Sequence, residues 1–441
     1  MKYLKHNLNN WDWRLTGLIL LYSILPAIYQ SYQLYLIGNK MPSLSGLAIA
    51  SQWQFVQVLF EITQEATVLP LFFFIGSQIN QKKEVIISRL KTAFVLLISL
   101  QGLAIVLFLW FLPSFVELSG AESNIHQLTQ EYLSIKIWSA GASALSLGIW
   151  IVIESLSRKK VLLMIICIKA VFMIVLDSLF FGGYSFSLNL GIIGAAYSTL
   201  LVECMIFLLG LVLLIQSLQT PLFTFFKSPW FRDIKLFRNV GLGIGLESLA
   251  KNLAYWFLIL KLINELGANE LGGYYLSMHL FWSFALVPIL VISEATKVQI
   301  GNHVGDKDRI RQLLTIAMTL TGGIVLCWGL IWAFKSSWLA LFSSDPEVLA
   351  FANTSVNYLL IPYILLGFNL VIDSLFYGLG KTQYLAYQSL LTNGTVYLGA
   401  YLLYLLGFWI PTFESVLLLF GLGILVDSGL TVYFAKKVIS A

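Results

Sequence analysis

Residues 189–217 read NLGIIGAAYSTLLVECMIFLLGLVLLIQS, and Glu203 is the single charged residue in this stretch. An α-helix needs about 20 predominantly apolar residues to cross a hydrocarbon core that is ~30 Å thick. The stretch does not alternate between apolar and polar residues, as a strand of a transmembrane barrel would. It therefore predicts a membrane-spanning helix.

Eleven further segments have this character, so the sequence predicts an all-α polytopic membrane protein with twelve transmembrane helices. The chain has 441 residues, of which 58% are hydrophobic and 11% are charged. A soluble globular protein carries about 25% charged residues, so this chain cannot cover itself with polar surface. The other segments are 14–36, 46–75, 88–113, 131–156, 160–182, 240–265, 272–300, 310–334, 350–378, 384–407 and 413–435.

The distribution of Lys and Arg predicts the orientation in the membrane, because cytosolic loops carry an excess of these residues. With the N-terminus in the cytosol, the cytosolic loops hold 20 of them and the opposite loops hold two, Lys40 and Lys335. We therefore expect a multi-pass protein of the inner (plasma) membrane with both termini in the cytosol.

An internal repeat divides the chain into two halves of six helices each. Residues 37–67 begin with Ile-Gly and end with Glu-Ala-Thr, and residues 266–296 begin with Leu-Gly and end with the same triplet. Because each half has six helices, an even number, the chain returns to its starting side and both halves have the same orientation, a plan known from transporters. The repeat predicts an N-terminal lobe (1–218), a basic cytosolic linker (219–239) and a C-terminal lobe (240–441).

Three motifs resemble those of the MATE (multidrug and toxic compound extrusion) transporters of the MOP flippase superfamily. Residues 294–311, EATKVQIGNHVGDKDRIR, are similar to the end of the family's eighth helix and the G-x-x-x-G-x-x-D-type loop after it. Residues 266–276 resemble its outer loop between helices seven and eight. Residues 377–382, YGLGKT, resemble its R-G-x-G-x-T loop, with Tyr377 in the place of the arginine.

The resemblance implies two six-helix lobes that form a V around a central cavity. It also implies export of organic, often cationic, compounds in exchange for protons or sodium ions. Three positions where the family carries a coupling carboxylate hold Gln33, Lys251 and Asn369 here. The resemblance thus indicates a divergent member of the family, in which the usual coupling groups are replaced.

Acidic and basic residues inside the later predicted helices are candidates for ion coupling, because a charged group in the membrane is costly unless it is paired or hydrated. Glu247 and Lys251 lie four residues apart and share one helix face, as do Asn369 and Asp373. If helices seven and ten face each other, as in the family, these four residues form one polar cluster. An ion pair that merely neutralises itself is the alternative for Glu247 and Lys251.

The second predicted helix carries a further pair of candidates for ion coupling, Glu61 and Glu65. Two carboxylates this close favour retention of a proton by one of them. Gln57 and Gln64 lie on the same helix face, and Gln33 belongs to the preceding helix. We expect this amide stripe to line the transport pathway, although hydrogen bonds between helices explain it equally well.

Helices five and six of the prediction contain three more charged residues, Lys169, Asp177 and Glu203. Lys169 and Asp177 are eight residues apart on one helix face, so either could pair with Glu203. These residues are candidates to line the cavity, and an ion pair between helices is the alternative.

The predicted function is that of a secondary active transporter, which exports a small organic compound by alternating access in antiport with protons or sodium ions. A flippase for a lipid-linked or phosphate-bearing precursor is the alternative within the superfamily. A membrane-embedded enzyme is the third reading, but no motif for catalysis, ATP binding or metal binding supports it. We expect a monomer in the lipid bilayer, with a small-molecule substrate, no nucleic acid, no cofactor beyond the coupling ion and no metal site.

Overall fold

The structure is a computed structural model of the chain. It describes residues 11–40, 45–68, 71, 83–119, 123–155, 159–218, 234–303, 305–381 and 383–440. Most of the predicted linker, residues 219–233, lies outside the described residues, and so does the side chain of Glu247.

The described residues form twelve long helical stretches, α1 to α12, and each of them coincides with one predicted segment. The first six are α1 (Trp13–Lys40), α2 (Ser45–Val68), α3 (Lys83–Ser119), α4 (His126–Ser155), α5 (Lys159–Phe181) and α6 (Gly191–Leu218). A short 3₁₀ turn, Ser123–Ile125, precedes α4. The all-α fold class predicted from the sequence is confirmed.

Three of the later helices contain a π-helical turn. Stretch α7 consists of Ile234–Tyr255, the π turn Trp256–Leu260 and Lys261–Leu266. Stretch α8 consists of Ala268–Leu280, the π turn Phe281–Ala285 and Val287–Gly301. Stretch α11 consists of Gln383–Thr392, the π turn Asn393–Tyr397 and Leu398–Leu405. The others are α9 (Lys307–Leu339), α10 (Pro346–Gly378) and α12 (Phe413–Ser440).

Within the described ranges, eight helices are long and apolar enough to cross a membrane, or nine if the two arms of α8 form one span. The arms of α8 meet at an angle of 49°. The bend follows the π turn Phe281–Ala285, and Pro288 stands at the start of the second arm. A π turn and a proline both interrupt the regular backbone hydrogen bonds, which explains the bend.

The chain divides into two compact units. The central unit comprises Leu36–Trp256, and the terminal unit combines the described part of Met1–Tyr35 with that of Phe257–Ala441. These boundaries fall inside α1 and inside the π turn of α7, whereas the repeat places the lobe boundary in the linker. The lobes at 1–218 and 240–441 therefore stay a prediction from the repeat.

Close contact between α8 and α10 builds the core of the terminal unit. At Gly273 a Cβ atom would lie 2.5 Å from Cβ of Phe351 and 2.8 Å from the backbone nitrogen of Ala352. At Gly378 a Cβ atom would lie 2.9 Å from the carbonyl oxygen of Lys297. Small residues let membrane helices approach closely and gain packing energy, which the apolar lipid does not supply otherwise.

The core of the central unit forms where α2 packs against the first part of α7. Phe55 and Trp256 meet edge to face, with ring centroids 5.5 Å apart. At Gly245 a Cβ atom would lie 2.9 Å from Cβ of Ala66. This contact places the acidic residues of α2 beside the polar residues of α7.

Candidate functional site

A polar network joins α10, α11 and α12 inside the terminal unit. In its first layer, Nδ2 of Asn369 donates to Oδ2 of Asp427 at 2.7 Å. The hydroxyl of Thr392 approaches the other carboxylate oxygen of Asp427 at 3.4 Å. Asn369 and Thr392 are buried and Asp427 is half-buried, so this carboxylate is held by neutral groups from two neighbouring helices.

The second layer lies one helical turn away and uses the same three helices. Nε2 of Gln388 donates to Oδ1 of Asp373 at 3.2 Å, and the hydroxyl of Thr431 lies 3.5 Å from that oxygen. The Thr431 hydroxyl also donates to Oε1 of Gln388 at 3.0 Å. On each helix the members of the two layers are four residues apart, so each pair occupies one helix face.

Among the residues that the structure describes, one atom of this network has no hydrogen-bond partner. Oδ1 of Asn369 is buried and accepts no hydrogen bond, although its residue is only 2% exposed. A buried acceptor without a donor costs about 1–3 kcal/mol. An oxygen of this kind next to a carboxylate has the chemistry to accept a proton donor or to coordinate a cation.

A second cluster of charges lies in the central unit on α4, α5 and α6. Nζ of Lys169 forms an ion pair with Oε1 of Glu203 at 2.6 Å, and both side chains are buried. The ammonium also lies 5.3 Å from the centre of the Trp150 ring. The sequence left an ion pair between helices as the alternative to a cavity-lining role for these residues. The structure contains this ion pair, between Lys169 and Glu203.

The other two charges of this cluster are Lys136 and Asp177, both buried. Lys136 donates to the hydroxyl of Thr199 at 3.0 Å, and Asp177 accepts a short hydrogen bond from Ser198. Lys136 also interacts electrostatically with Asp177 and Glu203. Two ammonium groups thus face two carboxylates, and the cluster balances its own charge.

The predicted pair on α2 lies in the central unit, where α2 contacts α7. Gln57 donates to Oε1 of Glu61 at 3.0 Å, and Glu61 interacts electrostatically with Glu65 and Lys251. Gln64 and both glutamates are half-buried, whereas Gln57 is exposed.

The structure brings only some of the predicted coupling residues together. Lys251 belongs to the central unit, while Asn369 and Asp373 belong to the terminal unit. The proposed cluster of these residues with Glu247 therefore stays a prediction. Gln33 is half-buried in α1, and its role as a cavity residue is likewise still a prediction.

Three polar residues of these contacts were not among the residues predicted from the sequence. Asp427 is the second carboxylate of the α10–α12 network, and Lys136 belongs to the charge cluster of α4–α6. A charged residue inside an apolar segment was a sufficient signal for both. The third, His279 on α8, has no sequence signal, because its partner Ser31 is 248 positions away.

His279 connects α8 to α1 within the terminal unit. Its Nε2 lies 3.0 Å from the hydroxyl of Ser31, which itself donates to the carbonyl of Ala27. Nε2 therefore carries the proton and donates to Ser31, and Nδ1 accepts from the hydroxyl of Ser283 at 3.1 Å. Ser283 lies in the π turn of α8, so its hydrogen bond to His279 forms at the turn that precedes the bend of this helix.

Comparison with known proteins gives a family match in the second half of the chain. Residues 244–402 match the MatE family model. The probable multidrug resistance protein NorM of Aromatoleum aromaticum is 29% identical over 273 residues, which cover 60% of this chain and 58% of that relative. The probable multidrug resistance protein YpnP of Bacillus subtilis is 24% identical over 227 residues, which cover 51% and 49%. The matched regions thus span between half and three-fifths of these relatives.

Solved structures share the fold over nearly the whole chain. A MOP superfamily transporter from Pyrococcus furiosus superposes with a TM-score of 0.74 at 18% identity, over 97% of this chain and 95% of the other. Its description states that a binding pocket of reversed polarity suggests a different function. An inward-facing multidrug resistance MATE family transporter gives a TM-score of 0.71 at 17% identity, over 96% and 98%.

These findings show a similarity to the MatE family in residues 244–402 and a fold shared with multi-pass MATE-type transporters over nearly the whole chain. The resemblance to the MATE transporters of the MOP superfamily is confirmed, by sequence in residues 244–402 and by fold over nearly the whole chain.

Proposed function

We propose that this protein is a secondary active transporter that exports a small organic compound in antiport with protons or sodium ions. The observation that carries the proposal is the pair of intramembrane carboxylates, Asp373 and Asp427, in a fold of the MATE type. The relatives are described as probable multidrug resistance proteins, which fits an organic substrate. Alternating access in the plasma membrane, both termini in the cytosol and a monomeric state belong to the same proposal.

The α10–α12 network is the better place for ion exchange than the α4–α6 cluster. In the α4–α6 cluster, Lys136 and Lys169 already supply the positive charge that the carboxylates require. In the α10–α12 network, the hydrogen bonds described for Asp373 and Asp427 come from amide and hydroxyl groups. A proton or a sodium ion can neutralise such a carboxylate and leave again, whereas a covalently attached ammonium cannot.

A flippase for a phosphate-bearing precursor is the second candidate function. Buried lysines of the central unit, Lys136 and Lys169 among them, favour it, because an ammonium group attracts phosphate. The Pyrococcus neighbour, described by its pocket of reversed polarity, shows that this fold accommodates a different charge pattern. A membrane-embedded enzyme is the weaker reading, because the relatives and neighbours named above are resistance proteins or transporters by their descriptions.

Gradient-driven transport in proteoliposomes tests the proposal. Purified protein is reconstituted, a proton or a sodium gradient is imposed separately, and the movement of fluorescent organic cations is followed. We expect transport that one of the two gradients drives and that an ionophore for the same ion abolishes. Transport of an anionic lipid-linked analogue in place of every organic cation would favour the flippase function and contradict the exporter.

A further inference from the structure

A basic cleft opens on the terminal unit where the C-terminal end of α12 approaches the start of α9. The described residues that line it are Arg311, Tyr433, Lys436, Lys437 and Ile439. It is a shallow cleft that is widely open to its surroundings, with a volume of about 590 Å³. Arg311 belongs to the second turn of α9, and the other four lie within the last two turns of α12.

Three cationic side chains converge on this cleft from two helices. Nη2 of Arg311 lies 3.4 Å from the carbonyl oxygen of Ile439, which brings the guanidinium over the end of α12. Lys436 and Lys437 are exposed on the last turns of that helix. A phosphate group suits such a set, because guanidinium and ammonium groups form strong charge-assisted hydrogen bonds with its oxygens.

The surface of α12 that leads to the cleft is apolar and faces outward. Leu418, Leu422, Leu425, Val432 and Tyr433 are between 41% and 63% exposed. They are separated by four, three, seven and one residues, which places them on one face of the helix, and Lys436 continues the same face by one turn. An acyl chain can lie along this stripe while its headgroup reaches the basic residues.

We propose that this cleft binds the phosphate headgroup of an anionic phospholipid in the leaflet on the side of the C-terminus. Arg311, Lys436 and Lys437 hold the phosphate, and the exposed stripe of α12 carries the acyl chains. Basic clefts at the ends of transmembrane helices attract anionic lipids in this way. The inference rests on the membrane fold and stands whichever compound the protein transports.

Native mass spectrometry of the purified full-length protein tests the site. Dioleoyl phosphatidylglycerol, dioleoyl phosphatidylcholine and inorganic phosphate are titrated separately, and the fraction of protein with one bound molecule is measured. We expect phosphatidylglycerol to bind at least about tenfold more tightly than phosphatidylcholine, because each basic residue contributes to the attraction. The combined substitution R311Q, K436Q and K437Q should remove this preference, and K436Q alone should reduce it.

Two further variants separate a built site from general charge. The combined substitution K160Q, K235Q and R238Q makes the same charge change at exposed residues elsewhere and should leave the preference intact. The charge-keeping combination R311K, K436R and K437R should retain it. Equal binding of the two lipids, or equal loss in both glutamine combinations, would overturn the proposal. Binding of free phosphate as tight as that of the lipid would assign the cleft to a phosphorylated solute instead.

Discussion

At the scale of single residues, the ion pair between Lys169 and Glu203 shows how charges are tolerated inside this protein. Both side chains are about 90% buried, and Oε2 of Glu203 has no hydrogen-bond partner. Removal of one partner leaves the buried cluster of Lys136, Lys169, Asp177 and Glu203 with one unbalanced charge, and breaking a buried pair in this way typically costs about 3–5 kcal/mol. Replacement of both by apolar residues is often nearly neutral.

We therefore expect K169M and E203M each to lower the thermal unfolding midpoint of the purified protein more than the double substitution does. The matched control is the pair of Glu294 and Lys297 on α8, which is 49% and 35% exposed and 2.6 Å apart. An exposed pair contributes about 0–1 kcal/mol, so K297M should change the midpoint little. If K169M and K297M lowered the unfolding midpoint equally, burial would not be the reason that the first ion pair matters for stability.

A second prediction at this scale concerns the hydrogen bond between His279 and Ser31 and its contribution to stability. S31A leaves Nε2–H of His279 without its acceptor, and S283A leaves Nδ1 without its donor. His279 is half-buried, and a fully buried polar group that loses its partner costs about 1–3 kcal/mol, so both substitutions should cost up to that amount and lower the unfolding midpoint. The control is T319A, whose exposed hydroxyl bonds the carbonyl of Thr315 in its own helix. An unfolding midpoint for S31A as high as that for T319A would show that the hydrogen bond between His279 and Ser31 is not formed.

At the scale of helices, the crossing of α8 and α10 depends on glycine. Any side chain at Gly273 meets the backbone of α10 at Ala352 as well as Phe351, and backbone cannot rotate away. We expect G273A to reduce the yield of folded protein in size-exclusion chromatography and to lower its unfolding midpoint by several degrees. The control is G322A on α9, where a Cβ atom would meet nothing within 4 Å. A folded and equally stable G273A protein would contradict the close packing of these helices.

The sequence predicts the existence of the helices better than their inner detail. Apolar length alone located all twelve stretches, because a spanning segment must satisfy its backbone hydrogen bonds as a helix. Helix α3 runs further than predicted, Lys83–Ser119 against 88–113, since a helix continues past the apolar core. The π turns of α7, α8 and α11 left no signal, because one extra residue in a turn does not alter hydropathy.

At the scale of the whole molecule, the partners of the predicted site residues depend on which helices pack together. Spacing on one helix indicated the pairs of Asn369 with Asp373 and of Glu61 with Glu65. It could not show that Asn369 donates a hydrogen bond to Asp427 of α12. Nor could it show that Lys251 interacts electrostatically with Glu61 and belongs to a different compact unit from Asp373. Such contacts between helices require the tertiary structure.

The central claim is that the α10–α12 network couples ion movement to transport. The most direct test compares D373N and D427N with the wild type in proteoliposomes, once a transported compound is known. Net transport driven by the ion gradient is measured beside exchange of labelled for unlabelled compound, which needs no net ion movement. The control is E414Q, because Glu414 is an exposed carboxylate in the first turn of the same α12.

We expect D427N to lose gradient-driven transport by at least about tenfold and to keep exchange, since its neutral amide cannot gain or release a coupling ion. D373N should show the same separation, and E414Q should behave as the wild type. Gradient-driven transport that survives in both aspartate variants would contradict the account and move the coupling site to Glu61 and Glu65.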